Sequence, residues 1–222
     1  MTAPLIERLD ARIEAKSLLG HSFYQAWQAG ELSLDDLRLY AAQYYHFEAN
    51  FPTILSAIHS RCDDPSVRQT ILSNLWDEEH GSRNHPALWL EFAGALGLSA
   101  EDVRGVDLLP ETAALVDTLQ DIAENGTYQE GLAAVYAYER QLPAVAETKV
   151  LGLKEFYGLD SLAAIEFFAL HEEIDLIHSA AEADVLTNTT SDELAVEQAA
   201  QRALDAWWGF LDGVERVRNA RN

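Results

Sequence analysis

Two histidines and an aspartate share one face of a predicted helix in the last third of the chain. They lie in His171-Glu-Glu-Ile-Asp175-Leu-Ile-His178, directly after the apolar run of residues 163–170. At about 100° per residue, the three side chains fall within an arc of about 60°, which apolar residues share. Because burial of unpaired polar groups is costly, a partner must satisfy them inside the protein. That partner could be a divalent metal, or the residues could form an internal His–Asp ion pair.

Glu78 and His85 are also placed on a face that the sequence predicts to be buried. They are seven residues apart, which is about two helical turns, and Ile71 and Leu75 lie on the same face. The proline that follows His85 disfavours helical geometry at the histidine, so the alignment is approximate. Taken singly, Glu78 could be a solvated acid and His85 a residue that ends a helix.

A lone glutamate, Glu139, follows the same pattern. Leu132, Val135 and Leu142 lie on its face, although a pairing of Glu139 with Arg140 would be an ordinary alternative. Three carboxylates would neutralise most of the charge of two divalent cations, and three imidazoles would complete their coordination. The sequence therefore predicts a two-metal site with open positions for dioxygen. The six candidate ligands are Glu78, His85, Glu139, His171, Asp175 and His178.

The order Glu-x6-His, a lone Glu, then His-x3-Asp-x2-His differs from the repeated Glu-x-x-His of ferritin-like proteins. It resembles the heme-oxygenase-like di-metal oxidase superfamily, and within it the group named for the chlamydial protein associating with death domains. The residues that carry the resemblance are Trp76-Asp-Glu-Glu-His-Gly-x3-His-Pro-x-Leu-Trp89, Tyr138-Glu-Arg-Gln-Leu-Pro143 and the closing histidine segment. The resemblance implies a seven-helix bundle of the TenA and pyrroloquinoline-quinone-synthase type, usually dimeric. It also implies an Fe/Fe or Fe/Mn pair, dioxygen as co-substrate and an external reductant.

The same resemblance implies an activity that consumes the protein itself. Members of the group make 4-aminobenzoate for folate synthesis, with the ring taken from one of their own tyrosines and the amine from a lysine, so that each chain acts once. Tyr24, in Phe23-Tyr-Gln-Ala-Trp27, matches that tyrosine, and Lys149 matches the amine donor. Read without the resemblance, Tyr24 could be a core residue and Lys149 a surface residue paired with Glu147 or Glu155.

Four further tyrosines are candidates for lining a cavity or relaying electrons, and an aromatic core is the ordinary alternative for each. These tyrosines are Tyr40, Tyr44, Tyr136 and Tyr138.

The composition excludes several classes of partner. The chain has 37 acidic and 15 basic residues, for a net charge of −22, whereas nucleic acids and anionic membranes require a basic surface. The single cysteine, Cys62, cannot form an internal disulfide and suits a reducing cytoplasm. We see no signal peptide or membrane span, so we expect a cytoplasmic protein, and we do not expect death-domain binding.

Apolar residues recur with a helical period in nearly every segment, which predicts an all-α protein. No linker divides residues 1–222, so we expect a single domain. We expect a kink at Pro52. The predicted helices cover about residues 3–19, 21–30, 33–60, 67–84, 87–96, 110–124, 127–156 and 160–186, followed by a C-terminal helix after the loop at 187–192.

Other functions remain open at this level. The nearest is an oxygenase that uses the same six ligands on an external amine or fatty acid, and a non-catalytic interaction module is a second alternative. Thiaminase-like chemistry needs a cysteine nucleophile, and Cys62 has no evident base. Cofactorless quinone formation needs a basic pocket, and heme on His21 would place its ligand at a helix boundary. Metal content distinguishes an oxidase from a binding module.

Overall fold

The computed structural model describes residues 3–221, which fold into α-helices with no strand among them. The α-helices are α1 Leu5–Ala15, α2 Ser22–Gln28, α3 Leu34–Glu48, α4 Phe51–Arg61, α5 Pro65–Glu79, α6 His85–Ala95, α7 Ala100–Arg104, α8 Pro110–Asn125, α9 Tyr128–Glu139, α10 Leu142–Phe156, α11 Leu162–Thr189 and α12 Glu193–Arg221. A 3₁₀ turn at Leu18–Gly20 joins the first two helices. The prediction of an all-α protein is confirmed.

The long helices α11 and α12 organise the bundle. Helix α12 packs on α8 and α9, while α11 packs on α6, α9 and α10 and also touches α5. These helices enclose one continuous apolar core to which every helix contributes, including the short α7 through Val103. The face of α11 that carries the two histidines and the aspartate is therefore turned towards α5, α6 and α9.

Two helices that the sequence predicts as continuous are each broken into two. The stretch 33–60 divides between α3 and α4 just before Pro52, and the stretch 127–156 divides between α9 and α10 just before Pro143. A proline inside a helix lacks the N–H donor and its ring clashes with the carbonyl four residues earlier, whereas the first turn accepts it. Each proline therefore lies in the first turn of a new helix. The sequence had predicted only a kink at Pro52 and an uninterrupted helix at Pro143.

Several other boundaries differ from the predicted ones. Helix α5 ends at Glu79, and His85 begins α6, since Asn84 caps that helix by accepting from the N–H of Ala87. Helix α11 continues to Thr189, so the predicted loop is confined to the residues before α12. The short helix α7 was not predicted.

Gly152 allows α10 and α2 to approach closely. A Cβ at this position would lie 2.7 Å from a ring carbon of Trp27, which is below any normal contact. The Trp27 indole in turn reaches the backbone carbonyl of Lys149, with 3.4 Å between nitrogen and oxygen. This contact holds α2, and with it Tyr24, against the helix that carries Lys149.

None of the helices within residues 3–221 combines the length and the apolar composition needed to cross a membrane.

Candidate metal centre

The first group of candidate ligands is formed by Glu78, His85 and His171. One donor atom from each residue lies within 4.8 Å of the others, and all three side chains are buried. His85 Nδ1 lies 2.6 Å from Glu78 Oε2, and the imidazole rings of His85 and His171 are 4.6 Å apart between centroids. We call these residues the first triad.

The structure corrects the reason that we gave for pairing Glu78 with His85. The two residues do not lie on one helical face, because Glu78 is near the end of α5 and His85 is the first residue of α6. A turn between the helices, which includes Gly81 with a φ of 85°, brings the two side chains together. Since a left-handed φ is readily adopted by glycine, this residue suits the turn.

The second group is formed by Glu139, Asp175 and His178, which we call the second triad. Its three donor atoms are also within 4.8 Å of one another. His178 Nδ1 lies 3.9 Å from Glu139 Oε2 and 3.8 Å from Asp175 Oδ1. These separations are too long for hydrogen bonds. They suit donors that share one ion, because metal–donor distances of about 2.0–2.2 Å place two donors at most about 4.4 Å apart.

Several polar atoms of the second triad have no hydrogen-bond partner in the described part of the chain. They are Glu139 Oε2, both carboxylate oxygens of Asp175, and His178 Nδ1. Asp175 is only 1% exposed. A buried carboxylate without a partner is strongly destabilising, and a cation at this position would satisfy all of these atoms at once. The donor set and its unpartnered atoms therefore fit a divalent metal.

Neighbouring groups hold the remaining polar atoms of the ligands. Asn74 Nδ2 donates to Glu139 Oε1 at 2.8 Å, and His178 Nε2 lies 3.1 Å from Asp77 Oδ2. His171 Nδ1 donates to the backbone carbonyl of Phe167 at 2.6 Å. Partners of this kind fix the orientation of a ligand and its tautomer. They leave Glu139 Oε2, His178 Nδ1 and His171 Nε2 free to face an ion.

Burial shifts the pKa values in the directions that favour neutral ligands. Burial raises the pKa of Glu139 to about 7 and raises those of Glu78 and Asp175 well above the usual range. It lowers the pKa of His85, and that of His171 to well below the usual value. In the absence of a cation the carboxyl groups therefore tend to hold protons. A bound cation would displace those protons, which couples metal binding to pH.

Sequence reasoning missed four polar residues around the triads: Glu48, Asn74, Asp77 and Glu182. Asn74 and Glu182 had a detectable signal, because each is four residues from a candidate ligand on the same helix. Asp77 had none, since its role depends on how α5 packs against α11. Glu48 is 2% exposed, and burial raises its pKa to about 8.

Hydroxyl groups and aromatic rings enclose the side chain of Lys149, and we call this buried environment the pocket around Lys149. Lys149 is 2% exposed, and its Nζ donates to Tyr40 OH at 2.8 Å. Tyr24 OH lies 2.9 Å from Tyr40 OH, so one hydrogen-bonded chain links all three residues. Burial lowers the pKa of Lys149 to about 7, against an opposing effect from the charge of Glu48. The Nζ atom lies 5.1–5.8 Å from the ring centroids of Tyr24, Tyr40, Tyr44, Trp89 and Phe168.

The four remaining candidate tyrosines divide into two locations. Tyr40 and Tyr44 lie in the pocket around Lys149, and the hydroxyl of Tyr44 is hydrogen-bonded to that of Tyr138. Tyr136 lies apart from them, with its hydroxyl donating to Asp10 Oδ1 at 2.7 Å. Residues two positions apart on a helix point about 200° apart, which places Tyr136 and Tyr138 on opposite sides of α9.

Aromatic rings connect the first triad with the pocket around Lys149. The ring of His171 lies 4.2 Å from that of Phe167, between centroids, and Phe167 lies 4.8 Å from Trp89. Trp89 stacks on Tyr44 at 4.0 Å and lies 6.0 Å from Tyr40. The two sites are thus joined by a continuous series of contacts.

Two residues considered as alternative centres have structural roles in this fold. His21 is the N-cap of α2 and accepts from the N–H of Phe23, while its Nε2 lies 3.1 Å from Asp212. Cys62 is buried at the end of α4, where its thiol donates to the carbonyl of Asp64.

The sequence profile of a family described as iron-containing redox enzymes matches residues 38–208 of this chain. The chain belongs to this family. The redox enzyme is 42% identical to a 4-aminobenzoate synthase of Nitrosomonas europaea, over 94% of this chain and 89% of that protein. It is 40% identical to a 4-aminobenzoate synthase of Chlamydia pneumoniae, over 93% of this chain and 92% of that protein. A pyrroloquinoline-quinone synthase of Rhizobium rhizogenes is 28% identical to this chain, over 72% of this chain and 66% of that protein.

Solved structures share the fold of this redox enzyme. A heme-oxygenase-like domain from Shewanella denitrificans matches with a TM-score of 0.82 and 18% identity, over 97% of this chain and 92% of that one. A CADD-like protein from Nostoc punctiforme matches with a TM-score of 0.76 and 18% identity, over 96% of both chains. The predicted heme-oxygenase-like fold is confirmed.

Proposed function

We propose that this redox enzyme makes 4-aminobenzoate from its own Tyr24, with Lys149 as the amine donor, in a single turnover per chain. The relatives named 4-aminobenzoate synthase support the product. The observation that carries the assignment of residues is the buried chain of hydrogen bonds from Lys149 through Tyr40 to Tyr24. A metal pair at the two triads, Fe/Fe or Fe/Mn, would supply dioxygen activation with electrons from an external reductant.

The residues of the pocket prepare the two groups that would react. Tyr24 is 3% exposed and Lys149 is 2% exposed, so bulk water is kept from both. A pKa of about 7 leaves a substantial fraction of the Lys149 amine neutral at neutral pH, and a neutral amine is nucleophilic. Tyr40 lies between them and can exchange a proton with either through its hydroxyl.

Release of product tests the proposal directly. The metal-loaded enzyme, given dioxygen and a reductant, should release at most one equivalent of 4-aminobenzoate per chain. Enzyme labelled with ring-¹³C tyrosine should give labelled product, and peptide mapping should find the modification at Tyr24. Tyr24→Phe should abolish release, whereas Tyr128→Phe, on α9 outside the pocket, should leave it intact. Wild-type release from Tyr24→Phe would show that the ring has another source.

Rescue of growth gives a second test. The enzyme should support a strain that cannot make 4-aminobenzoate from chorismate. If folded, metal-loaded protein fails to rescue such a strain, the external-substrate oxygenase is favoured. We further propose a cytoplasmic homodimer, for which light scattering in solution would give the mass.

A further inference from the structure

A cavity of about 330 Å³ lies beside the second triad, between α4, α5, α9 and α11. Leu55, Ile71 and Leu132 form part of its wall, and each of them is at most 1% exposed. Ile177, which is 69% exposed, also lines it. The cavity therefore extends from the protein surface into the apolar core.

The inner end of this cavity reaches the candidate metal centre. His178 is part of the cavity wall, and at 6% exposed it is the most accessible of the six candidate ligands. The first triad, whose three residues all lie in the described chain, takes no part in this wall. A small molecule that enters the cavity from solvent would therefore meet the second triad first.

The wall of the cavity favours a small neutral molecule. Most of its surface is apolar, and no lysine or arginine of residues 3–221 lines it. An ion would lose its hydration in such surroundings at a high cost, whereas an apolar molecule would leave water favourably. An apolar cavity of about 150 Å³ can already hold xenon or benzene, so this cavity has ample room for dioxygen.

We propose that dioxygen reaches the metal centre through this cavity, which we call the access cavity, and arrives at the second triad. This inference rests on the proposed function, which consumes dioxygen, and adds the route by which that co-substrate enters. Ala181 lines the access cavity nearly one helical turn after His178, and its small side chain leaves the space open. A larger side chain at Ala181 should close the route without replacing any candidate ligand.

Methyl NMR of the metal-free protein under dioxygen pressure tests entry without any reaction. Because dissolved dioxygen is paramagnetic, it should increase the relaxation rates of the Leu55 and Leu132 methyl groups at least twofold more than those of Leu204, which is equally buried but does not line the access cavity. Ala181→Leu should remove this difference. Ala180→Leu, at the exposed neighbouring position, should retain it. Equal relaxation of all three leucines in the wild type would overturn the proposal.

Stopped-flow oxidation of the Fe(II)-loaded protein tests whether the access cavity is the route to the metals. Ala181→Leu should lower the second-order rate constant for the reaction with dioxygen at least tenfold, with the iron content unchanged. Ile177→Trp, which would cover the outer end, should do the same and guards against a folding defect in the first variant. Ala180→Leu should react as the wild type does. An unchanged rate constant in either cavity variant, folded and loaded with iron, would overturn the proposal.

The yield of product separates this route from the proposed function. A slowed reaction that still ends with one equivalent of 4-aminobenzoate per chain would support both. A slowed reaction without any 4-aminobenzoate, in the variants and in the wild type alike, would support the access cavity and contradict the proposed function.

Discussion

The second triad and the pocket around Lys149 are both buried and polar, but they differ in whether their polar atoms find hydrogen-bond partners within the chain. In the second triad, Asp175 and His178 keep atoms without hydrogen-bond partners in the described structure. In the pocket around Lys149, the amine and the hydroxyls of Tyr24 and Tyr40 are all paired with one another. The second triad therefore presents buried, unpartnered donor atoms that suit a cation, whereas the polar groups of the pocket pair with one another. Metal binding should stabilise the former and change the latter little.

Removal of one carboxylate of the second triad should have the largest effect. Asp175→Ala should lower the metal content from two ions to one per chain, and reduce formation of 4-aminobenzoate more than 100-fold. Because the lost carboxyl group is unpartnered, the metal-free variant should be at least as stable as the wild type. Elemental analysis and thermal unfolding measure both effects. Asp184→Ala, at an exposed position of the same helix, is the control, and two retained ions in Asp175→Ala would contradict the assignment.

Replacement of Lys149 should stabilise the metal-free protein, because its burial disfavours the charged form. We expect Lys149→Met to raise the free energy of unfolding at pH 7 by roughly 2–4 kcal/mol, after the loss of the hydrogen bond to Tyr40. Product formation should cease.

The pH dependence of this gain has a definite sign. The pKa of Lys149 falls from 10.5 to about 7 on folding, so the unfolded chain binds more protons between these values. The contribution of Lys149 to stability therefore increases by about 1.4 kcal/mol per pH unit in that window, and the advantage of Lys149→Met should disappear above it. Denaturant unfolding from pH 7 to 10 measures the trend, with the exposed Lys154→Met as control. A difference that is constant with pH would rule out a lowered pKa.

Loss of a residue that only orients a ligand should have an intermediate effect. Asp77→Ala removes the partner of His178 Nε2 and should weaken metal binding at the second triad about 10- to 100-fold. Competition with a chelating dye measures the affinity. Glu79→Ala, two residues along on the exposed part of α5, should bind metal as the wild type does; equal losses in the two variants would exclude a specific role for Asp77.

The smallest effect is expected from the tyrosine that lies outside the pocket. Tyr136→Phe loses one hydrogen bond to Asp10, worth about 1 kcal/mol, and should leave product formation unchanged. Tyr138→Phe loses the contact with Tyr44 and should slow it. Single-turnover assays of both variants measure the rate of product formation. A slowed rate in Tyr136→Phe would restore Tyr136 as a relay candidate.

The sequence predicted the meeting of His171, Asp175 and His178 on one face because α11 is an uninterrupted helix, over which the period of 3.6 residues holds. Glu78 and His85 also meet, but through a turn between two helices, which periodicity does not describe.

Contacts between helices distant in sequence could not be predicted in the same way. The partnership of Asp77 with His178 and the burial of Lys149 depend on packing between elements, and no local pattern encodes that packing. The heme-oxygenase-like fold was predicted from the order of the motifs. The helix breaks were not, because the sequence predicted only a kink at Pro52 and a continuous helix through Pro143.

The position of Tyr24 on α2 has a consequence for the fate of the protein after reaction. Helix α2 has seven residues and supplies no member of either triad. If Tyr24 is consumed, the remaining bundle keeps every residue of both triads. A spent chain would then retain its metal-binding residues, so loss of activity would not require loss of the ions.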